Sequence, residues 1–406
     1  MTKAIYAVAT MDTKGHELAY VAERIKAAGA RVVTVDVGTK DAATVAADID
    51  RQRVAACHPQ GPGAVLGHKD RGQAVTAMGE ALCAFLKAEH AAGKVAGVIG
   101  LGGTGGTALI SPALQALPIG LPKLLVSTVA SGNTAPYVGC CDITMMYSVV
   151  DVAGINRVSR QVLANAAHAI AGMALNPVPS AQDKPTIGMT MFGVTTPCVT
   201  AVREVLEAKG YDCLVFHATG TGGQAMEKLV ESGLINGVLD ITTTEVADEV
   251  VGGVFRAGPK RFDAIIEKRI PYVMSVGAMD MVNFGAKETV PEQFRGRKLH
   301  VHNSQVTLMR TTPEENRQCA RWIANKINRS TAPLIMLLPE GGVSLIDAPG
   351  QPFHDPQADR ALFEELEKTV QQTPTRQLRR LPYNVNDPKF SAALLEAYFQ
   401  VAETKR

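Results

Sequence analysis

Several features that would place this chain in a special class are missing from its sequence. Only 5% of the 406 residues are aromatic, with a single tryptophan, and the formal net charge is +2. So small a charge gives no indication of nucleic-acid binding, and no apolar run approaches the ~18 residues of a membrane-spanning helix. The seven cysteines are odd in number and form no CxxC pair, which predicts a cytoplasmic protein without a disulfide framework.

The length and composition predict a large α/β protein with two domains. Hydrophobic residues make up 46% of the chain, enough for a sizeable core. The segment 176–180 contains two prolines that stop a preceding helix and extend the backbone, so it is the predicted linker. We therefore expect an N-terminal domain over residues 1–178 and a C-terminal domain over 184–406.

Apolar runs alternate with helical patterns in a similar order in both halves. Strands are predicted at 5–9, 32–37, 95–99 and 124–128, and again at 187–192, 214–216, 236–240 and 272–276. This order predicts two Rossmann-like domains with parallel sheets, built from a duplicated unit whose first copy carries an insertion at about 40–94. Few residues are identical between the halves, so two doubly wound sheets of merely similar order are the alternative. The insertion is expected to cover a sheet edge or a partner subunit.

A glycine-rich segment at 102–107 follows one buried strand and leads into a helix. This arrangement directs backbone N–H groups and a helix N-terminus at an anion, and glycine permits close approach and positive φ. No GK[ST] follows, and the spacing is not a strict G-x-G-x-x-G, so an ordinary turn is the alternative. As a phosphate cradle the segment would use Gly102, Gly103, Thr104, Gly105, Gly106 and Thr107.

A second glycine–threonine loop precedes a helix in the other half. We expect at least one of the two loops to bind a phosphate or carboxylate, and we assign the nucleotide to the first. The residues of the second loop are Thr219, Gly220, Thr221, Gly222 and Gly223.

Polar residues follow two other predicted strands of the first half, where ligands bind in open parallel sheets. Lys14 could neutralise a phosphate and Asp12 could hold Mg²⁺, although a capping aspartate and a solvated lysine are equally compatible with the pattern. The segments concerned are Asp12, Thr13 and Lys14 after the first strand, and Ser131, Gly132 and Asn133 after the fourth.

Two residues of the second half are candidates for nucleophilic and acid–base chemistry. Cys198 lies at a predicted helix start, where a thiol pKa is lowered, but a buried packing cysteine is the alternative. Glu245 follows a strand and starts a helix, which fits a general base or metal ligand as well as a simple cap.

Two further candidates complete the set of possible catalytic residues. Asp280 follows the strand at 272–276 and is expected at the same sheet edge as Glu245. His302 alternates with His300, so both side chains would point to one face of a strand. Metal binding, a hydrogen-bonding role and a structural role are all open to the histidines, although no third metal ligand has a matching spacing.

Taken together, seven motifs resemble the Tm-1-like ATP-binding family, also called the UPF0261 family. The resemblance implies two Rossmann-like halves, ATP binding and dimerisation. The plant member that names the family inhibits tobamovirus RNA replication and carries an additional TIM-barrel-like domain; we expect this sequence to lack that domain and do not carry the antiviral action over. The motifs lie at 12–15, 102–107, 131–134, 145–151, 192–198, 218–223 and 280–284.

The expected function is binding of ATP, with Mg²⁺, by an enzyme acting on a small phosphorylated or carboxylated metabolite between the two domains. The alternatives are a nucleotide sensor without turnover and an interaction protein that works with a separate TIM-barrel enzyme. We also expect a homodimer, because 40–94 and the apolar stretch 143–150 offer more nonpolar surface than one sheet edge needs.

Overall fold

The computed structural model of the chain describes residues 3–68, 70–178 and 184–403. The chain divides into two compact units, residues 1–180 and 181–406. The predicted linker overlaps this division, and its residues 179 and 180 lie outside the described residues. Within the described ranges, no helix combines the length and the apolar character needed to cross a membrane.

The N-terminal unit is built on one parallel five-stranded sheet. Its strands are β1 (Ala4–Ala9), β2 (Val32–Asp36), β3 (Val95–Gly102), β4 (Lys123–Ser127) and β5 (Thr144–Tyr147). Their order is β2-β1-β3-β4-β5, and every neighbouring pair is parallel. Most residues of β1, β3 and β4 are buried, as expected for central strands covered on both faces.

Helices cover both faces of this sheet. They are α1 (Met11–Ala27), α2 (Arg51–Ala55), α3 (Gly63–Leu66), α4 (Arg71–Ala91), α5 (Thr104–Gln115), α6 (Ala135–Val138) and α7 (Arg157–Leu175). Leu18, Val21 and Ile25 form the buried stripe of α1, which packs with α7 on one face. On the other face α4 packs with α5.

The insertion at 40–94 covers the outer edge of β2. Ile49 bridges to Val35 in parallel register, and the Asp48 carboxylate accepts the backbone N–H of Thr34 at 2.8 Å. The long helix α4 then returns to the sheet face. The insertion therefore satisfies an edge that would otherwise expose unpaired backbone groups.

The C-terminal unit contains a six-stranded parallel sheet and a small antiparallel one. Its strands are β6 (Thr186–Met191), β7 (Asp212–His217), β8 (Gly237–Thr242), β9 (Tyr272–Gly277), β10 (Met281–Phe284), β11 (Leu299–Asn303), β12 (Val306–Arg310), β13 (Leu334–Pro339) and β14 (Arg376–Leu381). The orders are β14-β13-β9-β8-β6-β7 and β10-β12-β11. The helices are α8 (Thr196–Ala208), α9 (Thr221–Glu231), α10 (Thr244–Ala247), α11 (Asp263–Lys268), α12 (Pro313–Ile327), α13 (Pro356–Thr369) and α14 (Pro388–Glu403).

Five strands of the two units share one order. The N-terminal order β2-β1-β3-β4-β5 corresponds to β7-β6-β8-β9-β13 in the C-terminal unit. In both units the first and third strands in sequence are neighbours at the centre, which is the doubly wound arrangement. The predicted α/β fold with two Rossmann-like parallel sheets is confirmed. The antiparallel sheet between β9 and β13, and the sixth strand β14, were not predicted as such from the sequence.

Candidate functional site

The central strands of the N-terminal sheet send the chain to opposite faces. Strand β1 leads into α1 on the face shared with α7, whereas the neighbouring β3 leads into α5 on the face shared with α4. In open parallel sheets a crevice forms at such a switch point, outside the carboxyl ends of the strands. The predicted residues 12–14 and 102–107 lie on its two sides.

The glycine loop gives three backbone donors to this crevice. Helix α5 begins at Thr104, and the Thr107 N–H donates to the Gly103 carbonyl at 2.9 Å as the first helical hydrogen bond. The N–H groups of Thr104, Gly105 and Gly106 have no acceptor among the residues that the structure describes. Such first-turn donors carry the positive end of the helix dipole, so they form an anion-binding end.

The reason for glycine in this loop differs from the expected one. None of the glycines from 102 to 106 has a positive φ, and Gly103 has φ −73°. A Cβ on Gly102 would lie 2.7 Å from the Thr107 nitrogen, so Gly102 is required by the tight turn itself. A Cβ on Gly103 or Gly105 would meet nothing closer than 3.7 Å, which leaves space above the helix end.

Thr107 has a structural role in the loop. Its side chain is buried, and its Oγ1 lies 2.6 Å from the Oγ of Ser127 at the end of β4. This hydroxyl pair joins the glycine loop to the neighbouring strand end. The Thr107 hydroxyl is therefore not available to a ligand, unlike the exposed Thr104.

A cation that the sequence did not single out lies beside the loop. Arg71 is the first residue of α4, whose start is capped by the Asp70 carboxylate accepting from the Gln73 N–H at 2.9 Å. The Arg71 guanidinium Nη2 lies 3.7 Å from the position that a Cβ on Gly105 would take, and the residue is exposed. The only sequence signal was its place at a helix start.

Across the crevice, Asp12 has one oxygen that makes no hydrogen bond. Its Oδ2 accepts from the Lys40 N–H at 3.3 Å, whereas its buried Oδ1 has no partner within the described part of the chain. Asp36 is bonded internally, to the N–H groups of Met11 and Gly38. Both carboxylates approach Gly38 so closely that a Cβ there would lie 3.0 Å from each of them.

The other predicted residues of this half lie at the same sheet edge but differ in exposure. Thr13 is exposed and Lys14 is half-buried, with φ −127° and ψ 18° inside the first turn of α1. Ser131, Gly132 and Asn133 are all exposed after β4, and the Asn133 Oδ1 accepts from the Ala135 N–H at 3.2 Å. The structure therefore brings the N-terminal candidates to one edge.

The second glycine–threonine loop already holds a carboxylate of the protein. The N–H groups of Gly220 and Gly223 donate to Oε1 of Glu245 at 2.7 and 3.1 Å. A Cβ on Gly223 would lie 2.2 Å from the other Glu245 oxygen, and one on Gly222 only 1.9 Å from the His217 carbonyl. The loop follows β7, whereas the first loop follows β3, so the two loops are not equivalent in the duplicated order.

Glu245 is therefore an internal ligand rather than a group open to a substrate. Its Oε2 accepts from Arg261 Nε at 3.0 Å, and the same buried guanidinium contacts Asp240 at 2.7 Å and Glu227 at 3.2 Å. Tyr272 donates its hydroxyl to Asp240 at 2.9 Å. Burial raises the pKa of Glu245, against the opposing effect of Arg261. The expected general base is thus part of a buried ion-pair network.

Cys198 does not have the environment of a nucleophile. It is the third residue of α8, as predicted, but its side chain is fully buried and its Sγ lies 3.5 Å from the Ser391 hydroxyl of α14. Burial raises the pKa of this thiol to about 11, although a helix N-terminus by itself would lower it. Cys198 therefore has the environment of a buried packing cysteine, which was the alternative to a nucleophile in the sequence analysis.

Asp280 belongs to a second buried cluster of charged side chains. It accepts from the Ser344 hydroxyl at 2.8 Å, and burial raises its pKa to about 6 while Arg310 opposes the shift. Arg310 contacts Asp347 at 3.1 Å and Asp359 at 2.7 Å. Arg310, like Arg261, was not recognised in the sequence, because its partners lie tens of residues away in the chain.

The histidines lie on the small antiparallel sheet. His302 is exposed on the outer strand β11, and His300 is half-buried with its ring centroid 6.1 Å from that of Phe353. In the ranges that the structure describes, no three histidine, cysteine or carboxylate side chains form a group that could hold a metal ion by themselves.

Both halves of the chain match models of one protein family. The model described as the uncharacterised protein family (UPF0261) N-terminal domain matches residues 3–178, and the corresponding C-terminal domain matches 184–402. A UPF0261 protein of Rhizobium meliloti is 57% identical over 98% of this chain and 99% of its own length. A UPF0261 protein of Clostridium tetani is 46% identical over 99% of this chain and 100% of its own length.

A longer relative comes from tomato. The ToMV resistance protein Tm-1 of Solanum lycopersicum is 47% identical over 99% of this chain, which spans only 56% of the tomato protein. Among solved structures, an NAD⁺-bound 3-phosphoglycerate dehydrogenase of Entamoeba histolytica is similar at 13% identity with a TM-score of 0.18. A similarity at that level supports no conclusion about the site.

Proposed function

The chain belongs to the UPF0261 family, and we propose that it binds ATP through the crevice of its N-terminal unit. The observation that carries the proposal is the start of α5, where three adjacent N–H groups lack acceptors in the described chain and the Arg71 guanidinium lies beside Gly105. The motif resemblance seen in the sequence supports ATP as the nucleotide.

The electrostatics of the crevice suit a phosphate chain. A helix N-terminus favours an anion and supplies directed N–H donors. The planar guanidinium of an arginine can bind two phosphate oxygens at once. Arg71 makes no ion pair with a carboxylate in the described chain, so this cation is available to a ligand.

The second glycine loop supports the choice of the first. In the C-terminal unit a loop of similar composition binds a carboxylate, Glu245, through two of its N–H groups. Because an internal anion occupies those donors, a phosphate would have to displace a buried ion-paired side chain there. Among the residues that the structure describes, no carboxylate accepts from the N–H groups of the first loop.

Asp12 fits the role of a magnesium ligand in this complex. Its buried Oδ1 lacks a partner in the described chain, and Mg²⁺ in nucleotide sites is held by one or two carboxylates together with phosphate oxygens and water. The metal would neutralise phosphate charge, and Asp12 would hold it from the β1 side of the crevice.

Calorimetric titration with ATP and Mg²⁺ tests the proposal. Gly105→Val would place a branched side chain over the three N–H groups, and Arg71→Ala would remove the cation. Each should weaken ATP binding at least about tenfold, equivalent to about 1.4 kcal/mol. Gly172→Ala, on an exposed turn of α7 with nothing within 4 Å of the added Cβ, is the control that should bind normally.

Absence of binding by the unmodified protein at millimolar ATP would contradict the proposal. So would normal binding by both Gly105→Val and Arg71→Ala. Gly222→Val, which the sequence alone would suggest as the comparison, is unsuitable because the added Cβ would collide with the His217 carbonyl.

The burial of three expected catalytic residues favours a sensing or binding role over turnover. Glu245, Cys198 and Asp280 are all internal and bonded to other protein groups. A phosphate-release assay with ATP and Mg²⁺ distinguishes the two roles: we expect no release above a protein-free control. Sustained release that is abolished by Gly105→Val would instead establish an ATP-consuming enzyme.

A further inference from the structure

A pocket of about 310 Å³ lies at the carboxyl ends of β4 and β5, next to the glycine loop. Its lining residues are Thr128, Tyr147, Ser148, Val149, Val150 and Asp151. Thr128 also faces the loop, since its Oγ1 lies 3.8 Å from the position that a Cβ on Gly103 would take. One wall of the pocket is thus shared with the proposed phosphate site.

The backbone of this pocket is strained. Val149 has φ 67°, a conformation that is an outlier for a β-branched residue. The Val150 N–H donates to the Ser148 carbonyl at 2.7 Å and closes a three-residue turn, and the Ser148 hydroxyl donates to the Val150 carbonyl at 2.7 Å. Such strain costs about 1–3 kcal/mol and tends to accompany ligand sites.

The strained turn gains no core packing in return. Val149 is 56% exposed and Tyr147 is 43% exposed, so the turn displays an aliphatic side chain and an aromatic ring at the pocket instead of burying them. A turn serving only to connect two elements would not need a valine in this conformation. The arrangement is explained if the displayed side chains contact a ligand.

From these observations we propose that the pocket holds the nucleoside part of the nucleotide, with the base against Tyr147 and the ribose within reach of Asp151. The lining combines an aromatic ring, an aliphatic side chain, hydroxyls and one carboxylate. A carboxylate commonly accepts ribose hydroxyl hydrogen bonds in Rossmann-like sites, and bases stack on aromatic rings. The volume is at the small end of ligand pockets.

This inference rests on the proposed ATP site, and inorganic tripolyphosphate separates the two. Tripolyphosphate has the phosphates but no nucleoside, so its affinity reports on the α5 end alone. Tyr147→Ala should weaken ATP binding at least about fivefold, the lower end of one base–aromatic stack, and leave tripolyphosphate binding unchanged. Tyr147→Phe retains the ring and should bind both ligands normally.

Each alternative result has a definite meaning. If Tyr147→Ala and Asp151→Asn both bind ATP normally while Gly105→Val weakens ATP and tripolyphosphate, the nucleoside pocket is overturned and the phosphate site stands. If Tyr147→Ala weakens both ligands equally, the pocket does not recognise the nucleoside and the inference fails. If the unmodified protein binds neither ligand, the proposed function fails and the inference fails with it.

Discussion

Cys198 shows how burial outweighs a favourable helix position at a single residue. Its thiol has a pKa raised to about 11 because desolvation dominates the field of α8. We predict that iodoacetamide at pH 8 modifies the half-buried Cys57 but leaves Cys198 unmodified in the folded protein, as measured by mass spectrometry of peptides.

Unfolding in denaturant provides the control for that experiment, since both cysteines should then react at similar rates. Cys198→Ala should also leave ATP affinity unchanged. A Cys198 that reacts as fast as Cys57 in the native protein would contradict the packing role.

At the same scale, the residues at the crevice could be located from the sequence better than their roles. Asp12 and the glycines follow strands in a pattern that predicts a ligand edge. Arg71 gave no comparable signal, because its place beside Gly105 results from the return of α4 across the sheet. Glu245 was correctly placed after a strand, but its ion pair with Arg261 depends on tertiary packing of residues 16 positions apart.

Between elements, the Arg310 cluster joins the antiparallel sheet to the connection between β13 and α13. Asp347 and Asp359 both pair with the Arg310 guanidinium. Burial, followed by repulsion from Asp280 and Asp359, raises the pKa of Asp347 to about 9. A raised carboxyl pKa means that the folded state keeps a proton that the unfolded state releases. The contribution of this proton to the free energy of unfolding is therefore complete below the unfolded pKa near 4, and it is lost as the pH rises towards 9.

Asp347→Asn should remove this part of the pH dependence. The amide mimics the protonated acid, so the variant should lose less stability than the native protein between pH 5 and pH 9, by on the order of 1 kcal/mol per pH unit. Urea unfolding at a series of pH values measures the difference. Parallel stability curves for the two proteins would contradict the raised pKa of Asp347 in the folded state.

Arg310→Met provides the opposite perturbation in the same cluster. Removing the cation leaves buried carboxylates uncompensated, which typically costs about 3–5 kcal/mol. We expect this variant to be strongly destabilised at pH 7, where Asp347→Asn is tolerated. Equal stability of the two variants would show that the guanidinium does not hold the cluster together.

Helices and strands with a strong local sequence pattern were predictable. Strands that form only by pairing with distant segments of the chain were not. The apolar run at 95–99 corresponds closely to β3. Strand β5 has only four residues, two of them exposed, so its sequence carries no clear alternation. For the antiparallel sheet, the sequence pattern indicated one strand, through the alternating histidines of β11. It did not indicate the pairing, because the pairing joins three separated segments of the chain.

At the scale of the whole molecule, we expect the predicted dimer contact at one particular strand of the N-terminal sheet. The segment 40–94 packs on its own sheet through the Ile49 bridge and α4, whereas β5 is the last strand of the sheet and pairs on its outer side with no other strand of the described residues. Thr144 is exposed on that edge. Pairing of two β5 strands about a two-fold axis would satisfy both edges.

Light scattering at micromolar concentration tests this arrangement. We expect the mass of a dimer for the native chain and a shift towards monomer for Thr144→Lys, because like charges would face each other across the axis. Asp212→Lys, on the edge strand β7 of the other unit, is the matched control that should keep the native mass. A native protein with only the monomer mass would contradict the prediction.

The two units share one strand order, but the N–H groups of their glycine loops differ in what they bind. The C-terminal loop binds Glu245 internally, whereas the N-terminal loop presents its donors together with Arg71 and Asp12. The shared strand order is therefore not accompanied by a shared arrangement of the two glycine loops. On this account the N-terminal unit binds the nucleotide, whereas the glycine loop of the C-terminal unit, which follows a strand in a different position of the shared order, is structural.

A crystal structure of the full chain with a non-hydrolysable ATP analogue and Mg²⁺ tests this central claim most directly. We predict phosphate oxygens within hydrogen-bond distance of the N–H groups of Thr104, Gly105 and Gly106, with the Arg71 guanidinium alongside. Phosphates bound instead at residues 219–223, with Glu245 displaced from the Gly220 and Gly223 N–H groups, would contradict it.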